Sequence, residues 1–487
     1  MSAGCHLHRT WRNIPMKVAA SHSCIHRVGL VVLFCCAVIV APVCSANWEL
    51  TPSVAVGVIY SDNINLEPRG QENADLVMEV TPGIDASFDG RRVDADIRYR
   101  LQSYFYRDNS DLDEVFHQLS ARGTAELSDE TFYLDGGLAV RQQVIDASAP
   151  VPTGTIAGAG NLTDEYTAYI SPHWRTQLTD TVRADLRYAI GMVSYDDNTL
   201  DDSVQHAVAA QVENTSVADR LYWAARYRLS RVDYEDQDSI TLEQATVELG
   251  IPITTQARLV VIGGAERNEF ELTDGSDAPD DTLWAIGIRS QRAGRYEFEA
   301  LVGERSFGDT YSLRWVQEGR RWRTQALYDE DFVTYAQTRL EFDPRSPESI
   351  LPGPALGTAV GEVYLRELGQ LELALNTART TTTARVYNER RLYQTTDREE
   401  TLKGFDLTWN WALRPRTTVL LSAGVQESRL LGIDTPDELT LVSAGVQQQL
   451  GRRLSGTLFL RRTDVKSDLP EREYREHSVA ARLIATF

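Results

Sequence analysis

The sequence predicts an all-β chain: a single-chain transmembrane antiparallel β-barrel of about 22 strands, with 16 to 24 as the range. Three observations predict it. Apolar and polar residues alternate strictly over segments of about 10–14 residues, which suits a tilted membrane strand better than a soluble strand of about 5–6. The connections between segments alternate between short and long. The chain ends on an alternating strand whose last residue is Phe487.

The alternation can be followed along the chain. Trp48, Leu50, Val54, Val56, Val58 and Tyr60 share one phase. Val93, Ala95, Ile97, Tyr99 and Leu101 alternate with Asp94, Asp96, Arg98 and Arg100. Val182, Ala184, Leu186, Tyr188, Ile190 and Met192 alternate with Arg183, Asp185 and Arg187. Leu221, Trp223, Ala225, Tyr227 and Leu229 alternate with Tyr222, Arg226 and Arg228. Phe405, Leu407, Trp409, Trp411 and Leu413 alternate with Asp406, Thr408 and Asn410. Trp and Tyr gather near segment ends, as at Trp48, Tyr60, Trp174, Trp284, Tyr311 and Trp322, in the manner of interfacial girdles.

Tight turns are read at Asp89-Gly90, Ser128-Asp129, Thr179-Asp180, Thr254-Thr255, Ala293-Gly294, Glu318-Gly319, Arg414-Pro415 and Gly451-Arg452. Between them lie longer, mostly acidic connections, including Ser61–Asp75, Gln143–Asp164 and Asp329–Gly369. Pro344, Pro347, Pro352 and Pro354 mark the last as a long loop, with inward folding one option. In the final segment Val479, Ala481, Leu483, Ala485 and Phe487 share a phase that only Ile484 blurs from the other side. Such an ending resembles the signal by which bacterial outer-membrane barrels engage their assembly machinery.

Composition narrows the function. Of 487 residues, 49 are Lys or Arg and 70 are Asp or Glu, a net charge of −21. Nucleic acid is a poor partner for such a surface. A bundle of membrane helices would need repeated apolar runs of about 20 residues. One comparable run exists, Val28–Val43, behind Arg27 and before the small residues Cys44, Ser45 and Ala46. It reads as a signal peptide over residues 1–46, cut between Ala46 and Asn47, with 47–487 as the barrel. Met16-Lys17 reads as an alternative start, and an N-terminal membrane anchor is the competing reading. All five cysteines fall in this leader, so the remainder has neither disulfides nor thiolate metal sites. Losing Arg9, Arg12, Lys17 and Arg27 lowers 49 basic residues to 45 against 70 acidic, a net charge of −25.

In a barrel the polar phase faces the interior. The candidate lumen-lining residues are Asp94, Asp96, Arg98, Arg100, Arg183, Asp185, Arg187, Arg226, Arg228, Arg321, Arg323 and Arg385, with Glu297 and Glu299 beside them. They read either as a lattice of salt bridges stiffening the wall or as a charged conduit whose arginine forks hold carboxylate or sulfate groups. Aspartate clusters at 196–202 and 274–281 lack the ordered spacing and glycine of a calcium loop and read as solvated outer loops. No cofactor or metal is expected. Catalysis is not expected either: His117, His206 and His477 fall in the lipid-facing phase, and only His173 points inward.

Several segments also carry a family likeness. TPSVAVGVIYSDNINL (Thr51–Leu66) and DLVMEVTPGIDASFDGRRVDADIRYRLQSYFY (Asp75–Tyr106) resemble the opening strands of an outer-membrane barrel family associated with the PEP-CTERM/exosortase system. SFGDTYSLRWVQEGRRWRTQALYDEDFVT (Ser306–Thr334) and VYNERRLYQ (Val386–Gln394) are similar to its later strands. The resemblance implies an outer-membrane protein of Gram-negative bacteria found with exopolysaccharide production and protein sorting. It implies no established activity and no agreed functional residues. The expected role is therefore a porin-like conduit or component for export of exopolysaccharide or an associated product. A non-conducting structural barrel is the alternative and an outer-membrane hydrolase a remote one. Expected partners are outer-membrane lipid, the barrel assembly machinery and exopolysaccharide export components.

Overall fold

A computed structural model describes residues 48–487 apart from 146–148, 151, 153–155, 157–160, 215–220, 273–274, 277, 293, 341–360 and 430–434. Contacts within the chain fall into two units, Met1–Ala46 and Asn47–Phe487. The leader, its Ala46–Asn47 junction, Asp274, Asp277 and the four loop prolines lie outside the described residues.

The described residues of the second unit form one 22-stranded antiparallel sheet. The strands run β1 (Trp48–Ser61), β2 (Asp75–Asp89), β3 (Val93–Tyr106), β4 (Glu114–Ser128), β5 (Phe132–Val144), β6 (Leu162–Thr179), β7 (Val182–Tyr195) and β8 (Ser203–Asn214). They continue as β9 (Tyr222–Tyr234), β10 (Ile240–Pro252), β11 (Ala257–Glu269), β12 (Asp281–Arg292), β13 (Tyr296–Arg305), β14 (Gly308–Glu318) and β15 (Trp322–Thr334). The last seven are β16 (Val363–Asn376), β17 (Thr380–Tyr393), β18 (Glu399–Arg414), β19 (Thr417–Arg429), β20 (Asp437–Gln449), β21 (Leu454–Lys466) and β22 (Tyr474–Thr486). Each strand pairs with the next, and β22 pairs back onto β1 from Ser53↔Thr486 to Ser61↔Ser478, so the sheet is a closed barrel. Closure leaves no free edge to solvate, which is what a bilayer demands of sheet structure.

The apolar phase is the exposed one. Leu50, Val56, Val58, Leu76, Met78, Leu421, Leu458 and Leu483 stand out from the wall, while Glu79, Glu165, Glu248 and Glu400 are buried. A water-soluble sandwich would bury the first set and expose the second. At the seam Val479, Ala481, Leu483 and Ala485 lie opposite Tyr60, Val58, Val56 and Val54, so the outward phase continues unbroken across it. Ile484 lies in the other phase, opposite Ser455.

The turns between even and odd strands span two to four residues, except for seven between β8 and β9, and the reverse connections are mostly longer. Ser306-Phe307 between β13 and β14 is a short exception on the long-loop end. The region expected to be a loop from Asp329 to Gly369 is corrected: β15 and β16 are paired as far as Thr334↔Val363. The carboxylates of Asp329 and Asp331 give that stretch the look of a loop, but Arg366 stands opposite Asp331 in the register and Arg305 pairs with it at 2.8 Å. A short helix α1 (Tyr335–Leu340) follows β15 directly.

Two glycines mark close approaches of backbone to backbone in the wall. A Cβ on Gly287 would stand 1.9 Å from the Ala300 carbonyl oxygen, and one on Gly303 2.0 Å from that of Trp284. No side chain fits such an approach, so these positions of β12 and β13 require glycine.

Candidate functional site

The polar phase is the inner one, and α1 demonstrates it. The helix leaves the end of β15 and contacts β6, β7 and β8, which are not neighbours of β15 in the sheet. Such contact crosses the bore, and the residues met there belong to the polar phase. The Tyr335 hydroxyl lies 2.9 Å from Gln143 Oε1 and 3.0 Å from Glu165 Oε2. Arg339 Nη2 donates to Gln143 Oε1 at 2.8 Å, and its Nε lies 3.4 Å from Glu165. Gln337 donates to Ser230 on β9. Beneath these bonds Ala336 and Leu340 pack with Val193, Tyr195 and Val232.

The backbone ladder between β14 and β15 ends early. The β14–β15 ladder stops at Leu313↔Tyr328, six residues short of the end of β15 at Thr334. Arg305 bridges the gap, reaching Glu266 and Asp331 by ion pairs and the Glu330 carbonyl at 2.9 Å. Phe332 then packs edge-on against Phe270 and Phe307 from the neighbouring loops. The long-loop end of the barrel is thus drawn together, while the inner wall near the short turns keeps exposed charges.

That wall is a lattice of arginine–carboxylate contacts. Arg98 and Arg100 share Asp85 at 3.2 and 2.6 Å. Arg187 reaches Asp135 at 2.8 Å, and Arg175 and His173 both reach Asp185 at 3.0 Å. Arg183 pairs with Glu213. Arg226 and Arg289 hold the two oxygens of Glu248 at 2.7 and 2.5 Å. Arg385 reaches Asp406 at 2.7 Å, and Arg391 joins Glu389 to Glu400. Arg228 lies between Ala209 and Gln244 in the register, on the same face as Arg226. Asp94 and Asp96 are exposed near the short-turn end, with Asp96 opposite Arg122. Arg323 approaches Glu318 at 3.7 Å on the exposed rim.

Arg321 is corrected. It lies in the turn between β14 and β15, before the first residue of β15 at Trp322, and is not part of the wall. Its odd number matches Arg323, but parity has no meaning once the strand has ended.

Sequence reasoning missed the most buried members: Glu165, Glu248, Glu400, Arg289, Arg305, Arg391 and the pair Tyr335–Arg339. Carrying the two-residue period through β10, β12 and β17 would have found Glu248, Arg289 and Arg391. Nothing periodic marks α1.

The histidines divide as their parity directs. His117 and His206 face outward, and each accepts or donates through Nδ1 to a tyrosine on the preceding strand, Tyr99 at 2.9 Å and Tyr188 at 2.7 Å. These two hairpins share a second detail: the Tyr106 amide donates to Asp113, and the Tyr195 amide donates to Asp202. His477 bonds Asp62 across the seam at 2.7 Å. Inward-facing His173 has both ring nitrogens engaged, Nε2 with Asp185 and Nδ1 with Arg187 at 3.3 Å. Neither is left to take a proton from the buried Ser171 hydroxyl two residues away. Among the described residues no cluster of three or more His, Cys, Asp or Glu side chains could hold a metal ion, and no helix is long and apolar enough to cross a membrane.

Known structures place the fold. The FrpB iron transporter of Neisseria meningitidis, F5-1 variant, is similar over 91% of this chain and 83% of its own, with a TM-score of 0.50 and 9% identity. Its apoprotein form gives a TM-score of 0.51 at 9% identity over 91% and 81%. The F3-3 variant gives 0.50 at 10% identity over 91% and 82%. At such identity the likeness is one of fold: the chain is a closed β-barrel of the outer-membrane kind. No protein-family model matches the chain. No curated protein matches it in sequence.

Proposed function

We propose that this barrel sits in the outer membrane of a Gram-negative bacterium, after removal of its leader, and conducts a hydrophilic product across it. An exopolysaccharide or an associated secreted product fits best. The observation that carries the reading is the charged inner wall of a barrel that is apolar outside. A 22-stranded wall encloses more space than its own side chains fill, and charge along it favours water and polar solutes. The short turns then face the periplasm and the long loops the cell exterior. The similar structures are of an iron transporter, and passage of a solute is the property that supports this reading.

The terminal strand, Val479 to Phe487, acts in this reading as the signal for the barrel assembly machinery. Exopolysaccharide export components are the partners expected at the periplasmic mouth, and lipid surrounds the outward phase. No step of the reading needs an enzymatic group or a cofactor.

A second reading is favoured by one observation, the bonding of α1 across the outer mouth. A barrel so closed could act as a non-conducting structural or assembly element. Planar-bilayer recording separates the two: stepwise conductance supports the conduit, and none under any voltage or with α1 loosened supports the scaffold. Deleting the gene and measuring surface polysaccharide tests the proposed cargo; undiminished polysaccharide would remove it.

A further inference from the structure

Arg258 on the inner wall has no acid partner among the described residues. Arg258, the second residue of β11, stands near the short-turn end, opposite Pro252 on β10 and Arg289 on β12. Two guanidinium groups directly opposed across a ladder repel each other. Arg289 is relieved, because Glu248 and Glu299 both hold it. The other acids nearby are also committed. Glu248 takes Arg226 on its second oxygen, and Glu213 takes Arg183 and the Tyr222 hydroxyl. Around this point Arg183, Arg226, Arg258 and Arg289, with Arg228 on the same face as Arg226, outnumber Glu213, Glu248 and Glu299, so positive charge is in surplus.

The side chain of Arg258 is nevertheless held in place. Its guanidinium carbon lies 3.8 Å from the centroid of the Tyr222 ring, and its Cδ packs at 3.1 Å from where a Cβ on Gly250 would be. Its Nε is buried and has no hydrogen-bond partner among the described residues. A cation fixed by an aromatic face, short of acceptors and opposed by a like charge is an incomplete site. What completes it is an anion.

We propose that Arg258 receives a carboxylate borne by the conducted saccharide, an acidic sugar unit arriving from the short-turn mouth. The inference rests on the conduit reading and names its substrate class. The planar guanidinium fork matches the planar carboxylate in geometry.

The test uses the full chain, folded in detergent, with digalacturonate as the probe. Isothermal titration compares it with neutral galactobiose, acetate and inorganic phosphate. Digalacturonate should bind at least about tenfold more tightly than galactobiose, the size expected of one charge-assisted fork. Arg258→Gln should erase that preference, and Arg258→Met serves the same purpose if the glutamine variant misfolds. Lys466→Gln, on the outer surface, should leave it intact. Heat-modifiable gel migration checks folding of each variant. Absence of any preference, or a preference that survives loss of Arg258, overturns the assignment. Tighter binding of phosphate overturns the carboxylate class, and acetate binding as tightly as digalacturonate overturns the saccharide. Binding in detergent needs no open pore, so a barrel that binds but never conducts refutes the conduit and not the site.

Discussion

The guanidinium of Arg339 on α1 and the fully buried carboxylate of Glu165 on β6 lie 3.4 Å apart across the bore, with the Tyr335 hydroxyl bonded to both. This contact ties the end of β15, which is paired with β16 but has left the β14 ladder, to the opposite wall. Arg141 holds the other oxygen of Glu165 at 3.0 Å, so loss of Arg339 leaves the carboxylate paired and takes the ionic tether from α1 alone. Arg339→Ala is therefore expected to release α1 and to raise single-channel conductance or opening frequency in planar bilayers. Conductance equal to that of the wild type would show that α1 does not limit passage.

Charge reversal on the wall should alter selectivity. Arg98→Glu with Arg100→Glu places four added negative charges' worth of change beside Asp85, on the face that also carries Asp94 and Asp96. Reversal potentials under a salt gradient should shift towards cations, more strongly at low ionic strength. Unchanged selectivity would mean that ions do not pass along β3.

The outward phase should reject charge. Val56 and Leu483 face each other at the β1–β22 seam and are 47% exposed each. Arginine at either position costs about 2–4 kcal/mol at mid-membrane depth. The expected result is a lower denaturation midpoint in lipid, while Thr457→Arg on the inner face should cost less. Equal costs would contradict the assignment of faces.

The close approach at β12–β13 should tolerate no side chain. Gly303→Val drives methyl groups into the Trp284 carbonyl and is expected to destabilise the barrel by at least about 1–3 kcal/mol. Loss of heat-modifiable migration, or a fall in folded yield, measures it.

Truncation at the end of the chain tests assembly. The Phe487 amide donates to the Pro52 carbonyl at 2.9 Å, and the residue is 64% exposed. Deleting it should reduce outer-membrane insertion in cells while in vitro refolding into lipid stays nearly unchanged. Equal loss in both assays would make its role structural.

Most of the wall was legible because its rule is local. Once lipid lies on one side and water on the other, each strand must repeat every two residues, and Arg98, Arg187, Arg226 and Arg385 can be assigned from parity alone. The rule fails where a strand ends, as at Arg321. It also fails where carboxylates are matched by distant cations, as at Asp331 with Arg305. The partners of a charge come from strands far away in sequence, so the pairing of Arg339 with Glu165, and the solitude of Arg258, belong to the closed structure and to no single segment.

The matching Tyr99–His117 and Tyr188–His206 hairpins bear on how such a wall is put together. Each is a self-contained pair of strands with the same bond at the same depth, so one could be spliced beside another without turning any neighbour inside out. A ring assembled from interchangeable couples changes circumference in steps of two and returns both chain ends to the side on which they began.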